Sequence, residues 1–210
     1  MTESNQVLID ASGAHSSVST GTGSTQISQL RSSAAGLRDV VNVLREQSET
    51  LHQSLQDYDL NDRAAIKARR GAPDLLDELY SDRGLGWGEI AQSVGVSLSA
   101  VRKWRNQGDC VAENRLALAR VAAMLDLVEE AFVVDPGGWL LTPLVGDYTV
   151  RYLDLVSAGR YDLVLDSAFQ RKTATQVMDD FDTDWRSTRR RKFDLVVDDD
   201  GVRSLRRKKA

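Results

Sequence analysis

A run of apolar residues that recurs every three or four positions most limits how this chain can fold. The steps of three and four alternate without a break, which is the 3.5-residue period of a left-handed coiled coil. We therefore predict a coiled-coil dimerisation helix over residues 27–70 and a homodimer that pairs through residues 27–66. A helix that folds back on its own domain is the alternative. The members of this apolar seam are Ile27, Leu30, Ala34, Leu37, Val41, Leu44, Ser48, Leu51, Leu55 and Tyr58.

The segment that precedes the seam is rich in small polar residues. Positions 11–25 hold five Ser, three Thr and three Gly, and Val18 is their one sizeable apolar residue. Such a segment cannot bury enough apolar surface to offset its loss of chain entropy on folding. We therefore expect residues 1–26 to form a disordered arm.

A basic run closes the predicted long helix. Residues 63–70 carry four cations and no acid, and Gly71 and Pro73 follow directly. Glycine and proline at this place are typical of a helix end. The cations either contact phosphate or stabilise the negative end of the helix dipole, and the sequence leaves both readings open.

Four helical segments are predicted next, over residues 74–80, 87–94, 98–107 and 112–132. The join between the second and third is the most informative. A small residue at Ala91 permits close approach of another helix, and Gly95 can adopt the positive φ of a tight turn. Val101 and Trp104 would face back into the core, while Ser97 would cap the third segment.

The opposite face of the third segment is polar and cationic. Residues 98–107 contain no acid. Arg and Lys bond the O6 and N7 atoms of guanine, Asn bonds the N6 and N7 atoms of adenine, and Ser suits phosphate or base contacts near a helix start. We therefore predict double-stranded DNA as a partner. The candidate DNA-binding residues are Ser97, Ser99, Arg102, Lys103, Arg105 and Asn106.

Residues 87–106, WGEIAQSVGVSLSAVRKWRN, resemble the signature of helix-turn-helix transcriptional regulators. This resemblance implies a DNA-binding domain over residues 73–132. Its third segment would lie in the major groove. A helix-turn-helix used only for packing or protein contact is the alternative.

Residues 133–185 are acidic, and part of them carries a second resemblance. Residues 111–185 contain thirteen acidic and six basic residues. Two short helices are expected at residues 148–158 and 161–169. The run from Thr142-Pro143 through Gly159-Arg160 to Leu165 is similar to the toxin-binding domain of Xre/MbcA/ParS antitoxins. The resemblance implies that Gly159 and Arg160 lie in the loop that contacts a cognate toxin; an ordinary helix break at Gly159 followed by a surface arginine is the alternative. This chain departs from the family in its preceding coiled coil, its altered Pro-to-helix segment and its additional C-terminal residues.

Residues 186–210 form a basic tail with ten bases against four acids. Residues 193–197 and 202–205 alternate in polarity and are separated by an Asp-rich segment that ends in Asp200-Gly201. Asp-Gly between alternating segments is a turn signal, so a β-hairpin is predicted here. The overall expectation is a mainly α fold: a coiled-coil helix, a helix-turn-helix domain, and a small helical C-terminal domain with this hairpin tail.

Composition excludes several classes of function. Cys110 is the one cysteine and His15 and His52 are the only histidines, so multi-thiolate and histidine-rich metal sites are not expected. No phosphate-binding glycine loop or nucleophile motif is present, so we expect no enzyme and no cofactor. No stretch resembles a signal peptide or membrane span, so a cytoplasmic protein without membrane contact is expected.

These patterns predict a sequence-specific DNA-binding transcriptional regulator, an antitoxin-like autorepressor that also binds a partner protein. One alternative is a coiled-coil interaction protein that neutralises or recruits a protein partner. The other is a phage-type or defence-type repressor without a toxin.

Overall fold

The computed structural model describes residues 21–197 and 203–207, and it confirms the predicted mainly α fold. The chain divides into two units, residues 1–50 and 51–210. The helices are α1 (Gly21–Lys67), α2 (Ala72–Asp77), α3 (Trp87–Val94), α4 (Leu98–Gln107), α5 (Ala112–Glu130), α6 (Pro136–Leu140), α7 (Tyr152–Ser157), α8 (Tyr161–Ala168), α9 (Ala174–Phe181) and α10 (Trp185–Thr188). A π-helical segment follows α2 at Glu78–Asp82, and the strands are β1 (Phe193–Val197) and β2 (Arg203–Arg207).

In the first unit the described residues belong to α1. This helix begins at Gly21, inside the range 1–26 over which the sequence predicted a disordered arm. Once a helix has nucleated, each added residue gains a hydrogen bond, so α1 extends into a segment of weak helix formers. The rest of the predicted arm, residues 1–20, lies outside the described residues. The large apolar residues of the seam in this unit are more than half exposed.

The last turns of α1 belong to the core of the second unit. Leu60 and Ala64 are buried there, although neither is a seam residue. The predicted coiled-coil domain of residues 27–70 therefore includes a segment that packs within its own chain. The later seam residues Leu51, Leu55 and Tyr58 remain well exposed.

Helix α5 lies at the centre of the second unit. Nine of its nineteen residues are buried, from Leu118 to Val128. A helix that is apolar on most of its faces is buried by several neighbours at once, and α5 contacts α2, α3, α6 and α8. The core therefore continues from α2 into α8. The predicted domain boundary between residues 132 and 133 does not coincide with a break in this core.

The segment after α5 differs from the sequence prediction. Asp135 accepts a hydrogen bond from the backbone N–H of Gly138 and caps the short helix α6, where the sequence indicated only a helix end. The helix predicted over residues 148–158 begins at Tyr152. Before it the chain is not helical: Arg151 pairs with Pro143 and Tyr148 pairs with Arg190 in isolated β-bridges.

The predicted tail begins in helix α10 and continues into two antiparallel strands. Thr149 donates a backbone hydrogen bond to Arg189, and Arg191 donates one to Asp147, which fastens the start of the tail to the helical unit. Phe193 of β1 pairs with Arg207 of β2. The Asp-Gly turn lies outside the described residues, so the hairpin as a whole stays a prediction.

Candidate nucleic-acid interface

Helices α3 and α4 are joined by a tight turn at Gly95, and both have the bounds that the sequence predicted. Gly95 has φ +73°, a left-handed conformation that glycine adopts without steric cost. The N–H of Val96 donates to the carbonyl of Ala91 at 2.9 Å, and the N–H of Gly95 donates to that of Gln92 at 3.2 Å. These bonds satisfy carbonyl groups that the end of α3 would otherwise leave unpaired.

The start of α4 is capped by Ser97. Its Oγ accepts a hydrogen bond from the backbone N–H of Ala100 at 3.3 Å and lies 2.8 Å from the Oγ of Ser99. Both serines are exposed. The two predicted serine contacts therefore lie together at the N-terminus of α4, where the helix dipole favours an anion.

The inner face of α4 is fixed by two apolar side chains. Val101 is fully buried and Trp104 is 7% exposed. Ile90 and Ala91 of α3 are buried in the same core. Because both anchors lie one turn apart on one face, the residues between and beside them must face outward.

The outer face of α4 carries Arg102, Lys103 and Asn106, and all three are exposed. Within the described residues, none of the three forms a hydrogen bond or an ion pair with the rest of the chain. Their polar groups can therefore all be offered to a ligand. Arg102 and Lys103 contribute two positive charges to a helix that has no acid.

Arg105 differs from these residues because it contacts an aromatic ring. Its Cζ lies 4.9 Å from the ring centroid of Trp87, the first residue of α3. Tyr80 stacks on Trp87 with a centroid distance of 4.2 Å and an interplanar angle of 7°. Sequence reasoning missed this arrangement, because the π-helical segment that positions Tyr80 has no recognisable local signal.

The basic run at the end of α1 is engaged within the chain. Lys67 Nζ lies 2.6 Å from a carboxylate oxygen of Glu78 and 2.9 Å from one of Asp126, and Arg70 also pairs with Glu78. Arg63 pairs with Asp59 and with Glu130. The structure therefore favours a structural role for three of these four cations over phosphate contact.

Glu78 is 7% exposed, yet it stays charged because of these partners. Burial by itself would raise the pKa of its carboxyl. The hydrogen bonds and positive charges of Lys67 and Arg70 exceed that effect, so the net pKa lies below its usual value. The ion pairs connect α1 to the π-helical segment, which also carries Tyr80.

Gly159 and Arg160 lie in the turn between α7 and α8, not on α4. Gly159 is exposed with φ +75°. The guanidinium of Arg160 donates two hydrogen bonds to the carboxylate of Asp162, from Nε to Oδ1 at 2.9 Å and from Nη2 to Oδ2 at 2.8 Å. It also donates to the backbone carbonyl of Asp180 at 3.2 Å. The Asp162 hydrogen bonds raise the pKa of Arg160. Arg160 thus connects its own turn to α9, and its role in toxin binding stays a prediction.

Comparison of this chain with protein-family models, with curated proteins and with solved structures finds no match. The resemblances to helix-turn-helix regulators and antitoxins therefore rest on the residues alone. In the part of the chain that the structure describes, no helix combines the length and the apolar character needed to cross a bilayer.

Proposed function

We propose that this protein is a sequence-specific double-stranded DNA-binding protein of the helix-turn-helix type that acts as a transcriptional regulator. In this proposal α4 enters the major groove. Arg102, Lys103 and Asn106 contact base edges, while Ser97, Ser99 and Arg105 contact phosphates or bases at the two ends of the helix.

The observation that carries the proposal is the outer face of α4. Three donor-bearing side chains are exposed there without hydrogen-bond or ion-pair partners in the described residues. The opposite face of the helix is anchored in the core by Val101 and Trp104. Unsatisfied cations without a neighbouring acid on the same helix favour a polyanionic ligand. An α-helix with its side chains is about 10–12 Å in diameter, which suits a major groove about 12 Å wide.

The charge distribution also supports nucleic-acid binding at a local surface of the chain. The whole chain carries a formal charge of −4, so it has no general attraction to nucleic acid. Several other cations of the second unit are neutralised by neighbouring acids, including Arg83, Arg160 and Arg186. Arg102 and Lys103 differ from these cations, because no ion pair neutralises them within the described residues.

A protein-interaction function is the second candidate, and the exposed seam of α1 favours it. Leu30 is 70% exposed and Leu37 is 67% exposed. Exposure of these apolar side chains to water is unfavourable, and burial against another helix would remove it. The two functions are compatible, since a homodimer through residues 27–66 would bring two copies of α4 to one operator with two half-sites. Binding of a cognate toxin is not part of this proposal, because the donors of Arg160 are engaged within the chain.

A salt series tests the proposal. Binding of the full chain to duplex DNA from upstream of its own gene is compared with binding to random duplex DNA at each salt concentration. A sequence-specific protein keeps a preference for its own DNA at salt concentrations that remove binding to random DNA. Equal affinity for both DNAs at every salt concentration would contradict the proposal.

A pair of variants then tests the assignment to α4. Arg102→Ala is expected to cost about 1–3 kcal/mol of binding to the preferred DNA and to relax its preference at one base pair. Arg186→Ala is the control, because it removes the same charge from α10, where Arg186 already pairs with Asp179. The assignment to α4 fails if the two variants lose affinity equally, or if Arg102→Ala weakens binding to random DNA as much as binding to the preferred DNA.

A further inference from the structure

An apolar stripe on the first unit is uncovered. Leu30, Leu37 and Leu44 are 70%, 67% and 59% exposed, and Ile27 and Val41 are more than half exposed. Within the described residues of this unit, α1 is the one element, and none of those residues outside α1 covers the stripe. Burial of such a stripe needs a partner that presents the same repeat.

The order of residues in the stripe indicates what kind of partner fits. When Ile27 is assigned to heptad position a, Leu30, Leu37 and Leu44 all fall at position d. Position a then holds Ile27, Ala34, Val41 and Ser48. Two of these four residues, Ile27 and Val41, are β-branched, and among parallel coiled coils leucine at d with β-branched residues at a favours two strands.

A row of arginines flanks the stripe on one side. Arg31, Arg38 and Arg45 recur every seven residues at position e, they are exposed, and none forms an ion pair within the described residues. The corresponding g positions are Ser33, Val40 and Gln47, which carry no charge. The two flanks of the stripe therefore differ in charge.

This difference distinguishes the two orientations of a pair of copies. In a parallel pair, position g of one helix lies beside position e of the other, so Ser33 and Val40 face Arg38 and Arg45 of the second copy. In an antiparallel pair, e positions face e positions, which would place the arginine rows against each other. Like charges on facing positions destabilise a pair of helices, so the row disfavours the antiparallel arrangement.

We propose that residues 27–48 pair with the same residues of a second copy as a parallel, in-register, two-stranded coiled coil. The stripe is about 32 Å long. Ser48 would lie opposite Ser48 of the second copy, and Val40 would pack against the aliphatic part of the Arg45 side chain of the second copy. The proposal does not depend on DNA binding, because each of its tests is made without DNA.

The mass of the full chain in solution tests the pairing. Sedimentation equilibrium at micromolar concentrations is expected to give twice the chain mass of 23.2 kDa. Replacing Leu37 and Leu44 together by Glu is expected to raise the dimer dissociation constant by about 100-fold or more, since each charge would be buried in the pair. Ser32→Glu with Asn42→Glu adds the same charges at positions f and b and is expected to leave the dimer intact. A monomer for the unchanged chain, or an equal effect of both double variants, overturns the proposal.

Disulfide formation tests the orientation. In a chain with Cys110→Ser, Leu30→Cys is expected to form a disulfide-linked dimer in a glutathione buffer, because parallel pairing places position 30 beside its own copy. Ser32→Cys, at outward position f, is the control and is expected to stay reduced. Mixtures of Leu30→Cys chains with Val41→Cys or with Ser48→Cys chains distinguish the alternative, because positions a and d face each other in an antiparallel pair. A dominant disulfide between position 30 and position 41 or 48, identified by mass spectrometry, indicates antiparallel pairing and overturns the proposal.

Discussion

The guanidinium of Arg105 lies over the indole ring of Trp87, with its Cζ 4.9 Å from the ring centroid. This contact connects the last turn of α4 to the first residue of α3. Tyr80 stacks on the same ring. The helix proposed to enter DNA is thus held near its end by an arrangement that local sequence patterns do not reveal.

We expect Arg105→Ala to lower the free energy of unfolding by about 0.5–1 kcal/mol, because it removes a cation–π contact at an exposed position. Arg102→Ala is the matched control. Arg102 forms no hydrogen bond, ion pair or cation–π contact in the described residues, so its removal should change stability by less than about 0.5 kcal/mol. Urea unfolding followed by circular dichroism measures both changes. Equal losses would show that the contact with Trp87 contributes nothing to stability.

Gly95→Ala should lower the free energy of unfolding by about 1–2 kcal/mol, because alanine is strained at a positive φ. A Cβ at Gly95 would meet no atom within 4 Å, so the backbone conformation alone causes the loss. Gly88 lies inside α3, and a Cβ there also meets nothing. Because Gly88 lies in the first turn of α3, Gly88→Ala should raise stability by up to about 0.5 kcal/mol through helix propensity. Thermal or urea unfolding that gave the same sign for both variants would contradict this account of the turn.

Gly137→Ala should be the more damaging glycine substitution. A Cβ at Gly137 would lie 1.7 Å from the backbone carbonyl oxygen of Arg83, so α6 would have to move away from the end of the π-helical segment. We expect a loss of about 3 kcal/mol in the free energy of unfolding. Gly146→Ala, where a Cβ meets nothing, is the control and should remain within about 0.5 kcal/mol of the unchanged protein. A Gly137→Ala protein of unchanged stability would show that the approach of the two backbones is not as tight as described.

Glu78→Gln should lower the free energy of unfolding by roughly 3 kcal/mol at neutral pH, because it leaves Lys67 and Arg70 without a buried carboxylate. The pKa of Glu78 is lower in the folded chain than its ordinary value of 4.5. Its contribution is therefore present above about pH 4.5 and is lost as the pH falls through the lower folded pKa. Arg83 and Asp126, the other charged residues of this cluster, are retained in both proteins.

Urea unfolding of both proteins between pH 7 and pH 3 measures this dependence. The difference in stability between the unchanged protein and Glu78→Gln should be largest at pH 7 and should shrink below about pH 4.5. A difference that stays constant over the whole range would show that the charge of Glu78 is not what stabilises the fold.

Much of the α3–α4 helix pair was predictable because the sequence patterns that specify it are local. The bounds of both helices follow from the glycine at 95, the serine cap at 97 and the apolar spacing of Ile90, Val101 and Trp104. The exposure of Arg102, Lys103 and Asn106 follows from the same periodicity, since a helix that buries one face must expose the other.

Other features depend on residues that are distant in the sequence. The helix predicted from Tyr148 begins at Tyr152, because the backbone at Tyr148 pairs with Arg190 across more than forty residues. Helices α9 and α10 carried no pattern that we recognised. The cations Arg63 and Lys67 pair with Glu130 and Asp126 of α5, so their role could not be separated from phosphate contact by sequence alone.

The sequence by itself determined the mainly α fold, the heptad repeat of α1, the turn at Gly95 and the composition of the outer face of α4, because each depends on spacings within a few turns of one helix. Only the tertiary structure decided that one core runs from the end of α1 to α10, that Arg105 lies over Trp87, and that Arg160 is engaged by Asp162 and the carbonyl of Asp180. The physical reason is that a helix periodicity states which face is apolar or charged, whereas the partner that covers or neutralises that face is set by packing between distant segments.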